Sequence, residues 1–184
     1  MSSSTEFKIL GLQLSNNLKW DCNIDLIGKK MSSKLYFLKL LERSGLSIED
    51  LHYFYITVIR PVSEYACTVW NHNLTATLSD RLESYQKRAL QIIYGDQIKG
   101  MPYQNALFLA NLESLKDLRI KLSQFFFKKI LSTDSCLHTL LPPESNNEIL
   151  CKLRNPSKYP IPYSRTKKYQ SFLNYALAKF QNSM

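Results

Sequence analysis

The sequence predicts a mainly helical protein, a helical bundle preceded by a small β-hairpin and followed by a proline-rich basic tail. Three observations carry that expectation. Apolar residues recur at alternating three- and four-residue steps between positions 21 and 131. Period-two alternation appears near the N-terminus, between positions 6 and 20. Five of the seven prolines lie between Pro142 and Pro162, among Ser, Asn and Tyr. The expected divisions are therefore a hairpin over 1–20, a helical domain over 21–141 and an extension over 142–184.

Taken in order, Phe7, Ile9, Leu12 and Leu14 alternate before Asn16-Asn17, where the turn is expected because asparagine tolerates positive φ. A lone hairpin is marginal in water and needs a partner. Asp21 to Arg43 is the longest helical pattern, with Ile24, Ile27, Met31, Leu35, Leu38 and Leu41 as its core stripe and Gly45 as its stop. A second helix opens at Ser47, which has Asp50 at the capping distance, and should bend or end after Arg60 because Pro61 lacks an N–H. A third starts near Thr77 and ends at Gly95, with Leu78, Leu82, Tyr85, Ala89, Ile92 and Ile93 on one face. Pro102 opens a short helix to Ala110. Ser114 and Asp117 repeat the capping spacing and begin a helix to about Leu131, with Leu115, Leu118, Leu122, Phe126 and Ile130 spaced for burial. One last short helix is expected from Ser171 to Gln181. Tyr53, Tyr55, Tyr65, Trp70 and the Phe125–Phe127 run read as core or interface residues.

With 45% hydrophobic and 21% charged residues in 184, the chain can bury a core without metals or disulfides. No apolar run approaches the ~20 residues that span a bilayer, and MSSSTEFK has no signal-peptide core, so a non-secreted protein of the nucleus or cytoplasm with no membrane partner is expected. Cys22, Cys67, Cys136 and Cys151 form no close ligand pair. The sequon Asn73-Leu74-Thr75 is expected to go unused without secretion. His52, His72 and His138 are isolated, and neither GxSxG, HExxH nor a glycine-rich phosphate loop occurs. No enzymatic activity, metal or cofactor is expected.

Charge says more. Net charge is +9, and Lys152, Arg154, Lys158, Arg165, Lys167, Lys168 and Lys179 supply +7 of it in an acid-free stretch from Ile149 onward. Such an arm suits a phosphate-rich partner. Within the helices, Lys29, Ser32, Tyr36, Lys39 and Arg43 form one polar stripe, and Arg81, Ser84, Arg88 and Gln91 another. Cations spaced this way can follow a phosphate backbone without reading sequence. In the tail, Tyr159, Tyr163, Tyr169, Phe172 and Tyr175 could stack on unpaired bases or anchor the arm to the body.

The run LHYFYITVIRPVSEYACTVW followed by LSDRLESYQKRALQIIYG resembles the region after the polymerase palm in reverse transcriptases of non-LTR (LINE-type) retrotransposons. Tyr55, Ile59, Arg60, Pro61, Glu64, Tyr65, Val69 and Trp70 match its first pattern. Arg81, Leu82, Glu83, Gln86, Arg88, Ala89, Leu90, Ile92 and Gly95 match its second. Upstream, KILGLQLSNNLKW is similar to the hairpin that closes the palm, and YSRTKKYQSFLNYAL is similar to a common tail.

The resemblance implies a palm-edge hairpin, a thumb that grips the template–primer, and a C-terminal extension. It also implies a truncated polymerase, because the family's metal-binding Asp-Asp pair does not occur. The implied partner is an RNA–DNA hybrid or single-stranded nucleic acid, bound through Lys29, Lys39, Arg43, Arg81, Arg88, Arg165, Lys167 and Lys168. The rival expectation is an inert relic, or a helical protein-interaction module whose partner pairs with the exposed hairpin edge.

Overall fold

The structure, a computed structural model, describes residues 6–145, 157–166 and 170–181. They are mainly helical, with one two-stranded antiparallel hairpin at the N-terminal end. The chain divides into two compact units. The first comprises 1–67 and 74–119, and the second 68–73 and 120–184. Among the described residues no helix is long and apolar enough to cross a membrane.

In the first unit, β1 (Glu6–Ile9) pairs with β2 (Leu12–Ser15) in the register Ile9↔Leu12 and Phe7↔Leu14. The hairpin turn is Leu10-Gly11, not Asn16-Asn17. Both central residues have positive φ, +47° and +84°, as the two-residue turn matched to strand twist demands. Asn16-Asn17 instead turns the chain out of β2, with Leu18 N–H donating to the Ser15 carbonyl and Lys19 N–H to Asn17 Oδ1. Leu10 is a poor residue for its place, since a β-carbon at positive φ costs about 1–2 kcal/mol. Leu10→Asn is therefore expected to raise stability by about 1 kcal/mol, read from urea midpoints. The Leu10 carbonyl that accepts Tyr65 O–H at 2.7 Å stays in place.

Helix α1 (Asp21–Arg43) has the expected bounds. It buries Ile24, Ile27, Met31, Leu35 and Leu38. Gly45, at φ +84°, ends it with the paired bonds Gly45 N–H to Glu42 O and Leu46 N–H to Leu41 O. Helix α2 (Ile48–Phe54) is capped by Ser47, whose Oγ accepts from Asp50 N–H at 3.2 Å.

Pro61 does not end this helix. A π turn over Tyr55–Ile59 precedes it, with Arg60 N–H reaching back five residues to the Tyr55 carbonyl. The chain continues as α3 (Arg60–Glu64). Widening the turn makes room for the pyrrolidine ring and confines the lost bond to one. Helix α3 stops where Ala66 takes φ +49°. A short turn, α4 (Cys67–Trp70), follows.

Helix α5 (Ala76–Tyr94) starts at its cap Thr75, whose Oγ1 accepts Leu78 N–H, so the sequon threonine serves the helix. Gly95 ends it at φ +46°. Helix α6 (Tyr103–Leu109) follows its N-cap Pro102. Ala106, Leu107 and Ala110 close a small core with Leu90 and Ile98. Burying each large apolar side chain here contributes roughly 1.5–3 kcal/mol.

Helix α7 (Leu115–Leu131) starts at Ser114, whose Oγ accepts Asp117 N–H at 3.1 Å. Its buried line is Leu115, Arg119, Ser123, Phe127 and Ile130, while Leu118, Leu122 and Phe126 are only half-buried. The apolar spacing therefore placed the inward face about one residue out, because it could not admit an arginine.

In the second unit, α8 (Phe172–Phe180) is capped by Ser171. Ala176, Leu177 and Phe180 pack with Phe127 and Tyr159. Phe172 stacks obliquely on Phe126 at 5.4 Å between ring centroids. Tyr159, Phe172 and Tyr175 thus belong to this unit's apolar cluster, whereas Tyr163 is exposed. Tyr169 lies outside the described residues. Of the other aromatics expected inside, Tyr55 and Trp70 are fully buried, but Tyr53 and Tyr65 are 69% and 57% exposed.

Candidate nucleic-acid interface

Helices α1 and α5 lie side by side and run in the same direction. Arg81 pairs with Asp25, and one turn further on the Tyr85 hydroxyl sits so close over Gly28 that a β-carbon there would make the tyrosine side chain shift. Beside that seam, Lys29, Ser32, Tyr36, Lys39 and Arg43 are all exposed and fall within about 80° of helix surface. On α5, Arg88 and Gln91 are exposed, and Ser84 Oγ donates to the Arg81 carbonyl at 2.6 Å. Lys29, Lys39, Arg43 and Arg88 thus present cations on two parallel helices.

Arg81 differs from them. Its stripe is free of acids only along its own helix, for the guanidinium is held by Asp25, 56 positions earlier in the chain. A half-exposed pair of this kind is worth about 1 kcal/mol or less to the fold, but it neutralises much of the charge Arg81 could offer a phosphate. In the second unit Arg165 is exposed, and Lys158 is 3.0 Å from Glu144. Lys167 and Lys168 lie outside the described residues, as does Cys151.

Periodicity did not reveal the polar centre of the first unit. Glu83 accepts from Tyr103 O–H and from the backbone N–H groups of Leu115 (3.1 Å) and Lys116 (3.3 Å), holding the opening turn of α7. Buried Gln86 accepts Tyr55 O–H at 2.7 Å and donates to the Glu113 carbonyl at 2.8 Å. Arg119, fully buried, donates to Ser79 Oγ at 2.9 Å. Burial holds its pKa below the usual arginine value, and the charge of Glu83 opposes that shift. Burial likewise pushes the Tyr55 and Tyr103 hydroxyls upward, so both stay donors. Arg81, Glu83 and Gln86, three residues of the sequence pattern, therefore serve an interhelical pair, a helix start and a core bond. The available signal was a glutamate and a glutamine one turn apart beside an apolar stripe.

Among the described residues no group of three or more His, Cys, Asp or Glu could hold a metal ion. The histidines are dispersed. His52 is 3.0 Å from the Tyr94 hydroxyl, His138 donates to the Ile130 carbonyl, and His72 Nε2–H donates to the Gln170 carbonyl at 3.1 Å. Burial holds His72 below the ordinary histidine pKa, more strongly than its backbone bonds raise it. Acid therefore protonates His72 in the unfolded chain before the folded one, so stability is full above pH ~6.5 and falls below it. The urea midpoint of the second unit is expected to drop between pH 7.5 and 5.5, and His72→Gln should flatten that drop.

No protein-family model, curated protein or solved structure matches this chain.

Proposed function

We propose that this chain is a thumb-like module of LINE-type reverse-transcriptase descent that grips a template–primer duplex through its phosphates, without reading sequence. It carries out no polymerase chemistry of its own, and its 184 residues contain no adjacent aspartates. Nucleic acid is its partner, so its place is the nucleus or cytoplasm. The sequence resemblance supports this reading. The observation that carries it is the parallel α1–α5 pair, with Lys29, Lys39 and Arg43 exposed on one helix and Arg88 on the other. A line of cations on α1 with Arg88 beside it suits a phosphate backbone.

Fluorescence anisotropy of a labelled RNA–DNA template–primer tests it. Saturable binding whose logarithm falls linearly with log salt is the expected result. Absence of binding at low salt by a helical, monodisperse protein would overturn it.

One observation favours a second reading, a protein-interaction module. Among the described residues strand β1 pairs only with β2, with Phe7 55%, Ile9 53% and Leu10 86% exposed. If nucleic acid does not bind while Phe7→Glu abolishes capture of a protein partner, this reading takes over.

A further inference from the structure

We propose that β1 pairs edge to edge with β1 of a second copy of this chain, joining two hairpins into a four-stranded antiparallel sheet about a two-fold axis. The proposal rests on the protein-interaction reading of this edge and names its partner. A hairpin alone is marginal in water, whereas three or more strands make a stable sheet.

The two edges of the hairpin are unlike. A two-residue turn closes on a hydrogen-bonded pair, so Ile9↔Leu12 and Phe7↔Leu14 exchange backbone bonds, while Lys8↔Gln13 and Glu6↔Ser15 turn theirs outward. On the β2 side the outward groups are taken. Gln13 N–H donates to Asn23 Oδ1 at 3.2 Å, and the Ser15 carbonyl accepts Leu18 N–H at 2.9 Å. On the β1 side the N–H and C=O groups of Glu6 and Lys8 have no such partner among the described residues. An edge of this kind is a template for one more strand.

The order of charges selects a second copy as that strand. In the self-pairing centred on Phe7, Glu6 faces the partner's Lys8 and Lys8 faces the partner's Glu6. Both are hydrogen-bonded positions, so four backbone bonds form and each pair sets a carboxylate opposite an ammonium. Phe7, 55% exposed, meets the partner's Phe7 in the closer, non-hydrogen-bonded position, where aromatic pairs stabilise a sheet. Sliding the register by two residues sets Glu6 on Glu6 or Lys8 on Lys8, which like-charge repulsion opposes. Glu6 already accepts from Gln13 Nε2 and the Cys22 thiol. A carboxylate has about four acceptor sites, so it takes the lysine as well. The contact is one short strand on each side, so the dimer is weak and fills at high protein concentration.

Sedimentation equilibrium from ~10 µM to ~1 mM protein without nucleic acid, with amide hydrogen exchange at both ends of that range, tests it. The unaltered chain should pass from monomer to dimer. The Glu6 and Lys8 amides should gain protection with concentration, while those of Phe7 and Ile9, already bonded within the hairpin, should not. Glu6→Lys sets lysine opposite lysine and Lys8→Glu sets glutamate opposite glutamate, so each variant alone should dimerise about tenfold more weakly or worse. Mixed together, the two variants restore opposite charges at both pairs and should associate within a few-fold of the unaltered chain. A chain that stays monomeric throughout, undiminished dimerisation of either variant alone, or no recovery on mixing two folded variants would overturn the proposal. A monomer that still captures another protein through Phe7 would keep the protein-interaction reading and reject the second copy as its occupant. The exchange pattern of the unaltered chain decides the matter even if a variant folds poorly.

Discussion

Glu83→Ala should destabilise the first unit by about 3 kcal/mol, the largest stability loss expected from any single polar substitution in that unit. One carboxylate serves three donors, the Tyr103 hydroxyl and the N–H groups of Leu115 and Lys116. Losing a helix cap costs about 1 kcal/mol, and each half-buried donor left unpaired adds about 1 kcal/mol or more. The same charge also faces Arg119, which is fully buried on α7. Glu83→Gln keeps one acceptor oxygen and loses the charge, so it should fall about midway. Urea titrations followed by circular dichroism give both values. A loss under 1 kcal/mol for the alanine variant would mean that water replaces the carboxylate and that Glu83 is not what joins α5 to the start of α7.

Reversing Lys39, Arg43 and Arg88 together to glutamate should lower template–primer affinity by two to three orders of magnitude at ~0.1 M salt. A slope of about −0.9 per phosphate corresponds to roughly eightfold per contact at that concentration, so three lost contacts multiply to about 500-fold. The slope itself should fall by about three. All three positions are exposed, so the helices should persist and far-UV circular dichroism should not change. Arg81→Ala is the internal control. Because Asp25 already holds its guanidinium, it should change affinity much less than Arg88→Ala. Equal losses at Arg81 and Arg88 would show that the ion pair opens for nucleic acid. No loss at any of the four positions would remove the grip model.

Much of the fold was legible because its signals are local. The bounds of α1 at Asp21 and Arg43 follow from an uninterrupted apolar stripe and a glycine stop. Ser47, Ser114 and Ser171 each bind the backbone N–H three residues on, as their spacing to Asp50, Asp117 and Asn174 foretold for the first two. The candidate cations of α1 were equally legible, since a helix with one apolar face must turn the opposite residues outward. Where the reading failed, two local rules competed or a distant partner intervened. Asn16-Asn17 has the better turn composition, yet Leu10-Gly11 makes the hairpin, because pairing Ile9 with Leu12 sets the register. Pro61, expected to bend or end its helix, lies just after a π turn that absorbs its ring, so the chain goes on as α3.

The sequence by itself determined the helical class, the starts and stops of most helices, the cationic line of α1 and the single small hairpin. Each depends on groups within about five residues of one another, where propensity, capping and period act directly. Only the tertiary structure decided which polar residues are spent on holding the protein together. It committed Arg81 to Asp25, Glu83 to the first turn of α7 and Gln86 to Tyr55, and it buried Arg119 where a leucine stripe was expected. The reason is that a charge or amide has the same sequence signature on a solvated face as in a core. Its role is set by the partner that packing brings within hydrogen-bond distance, here 31 to 56 positions away in the chain.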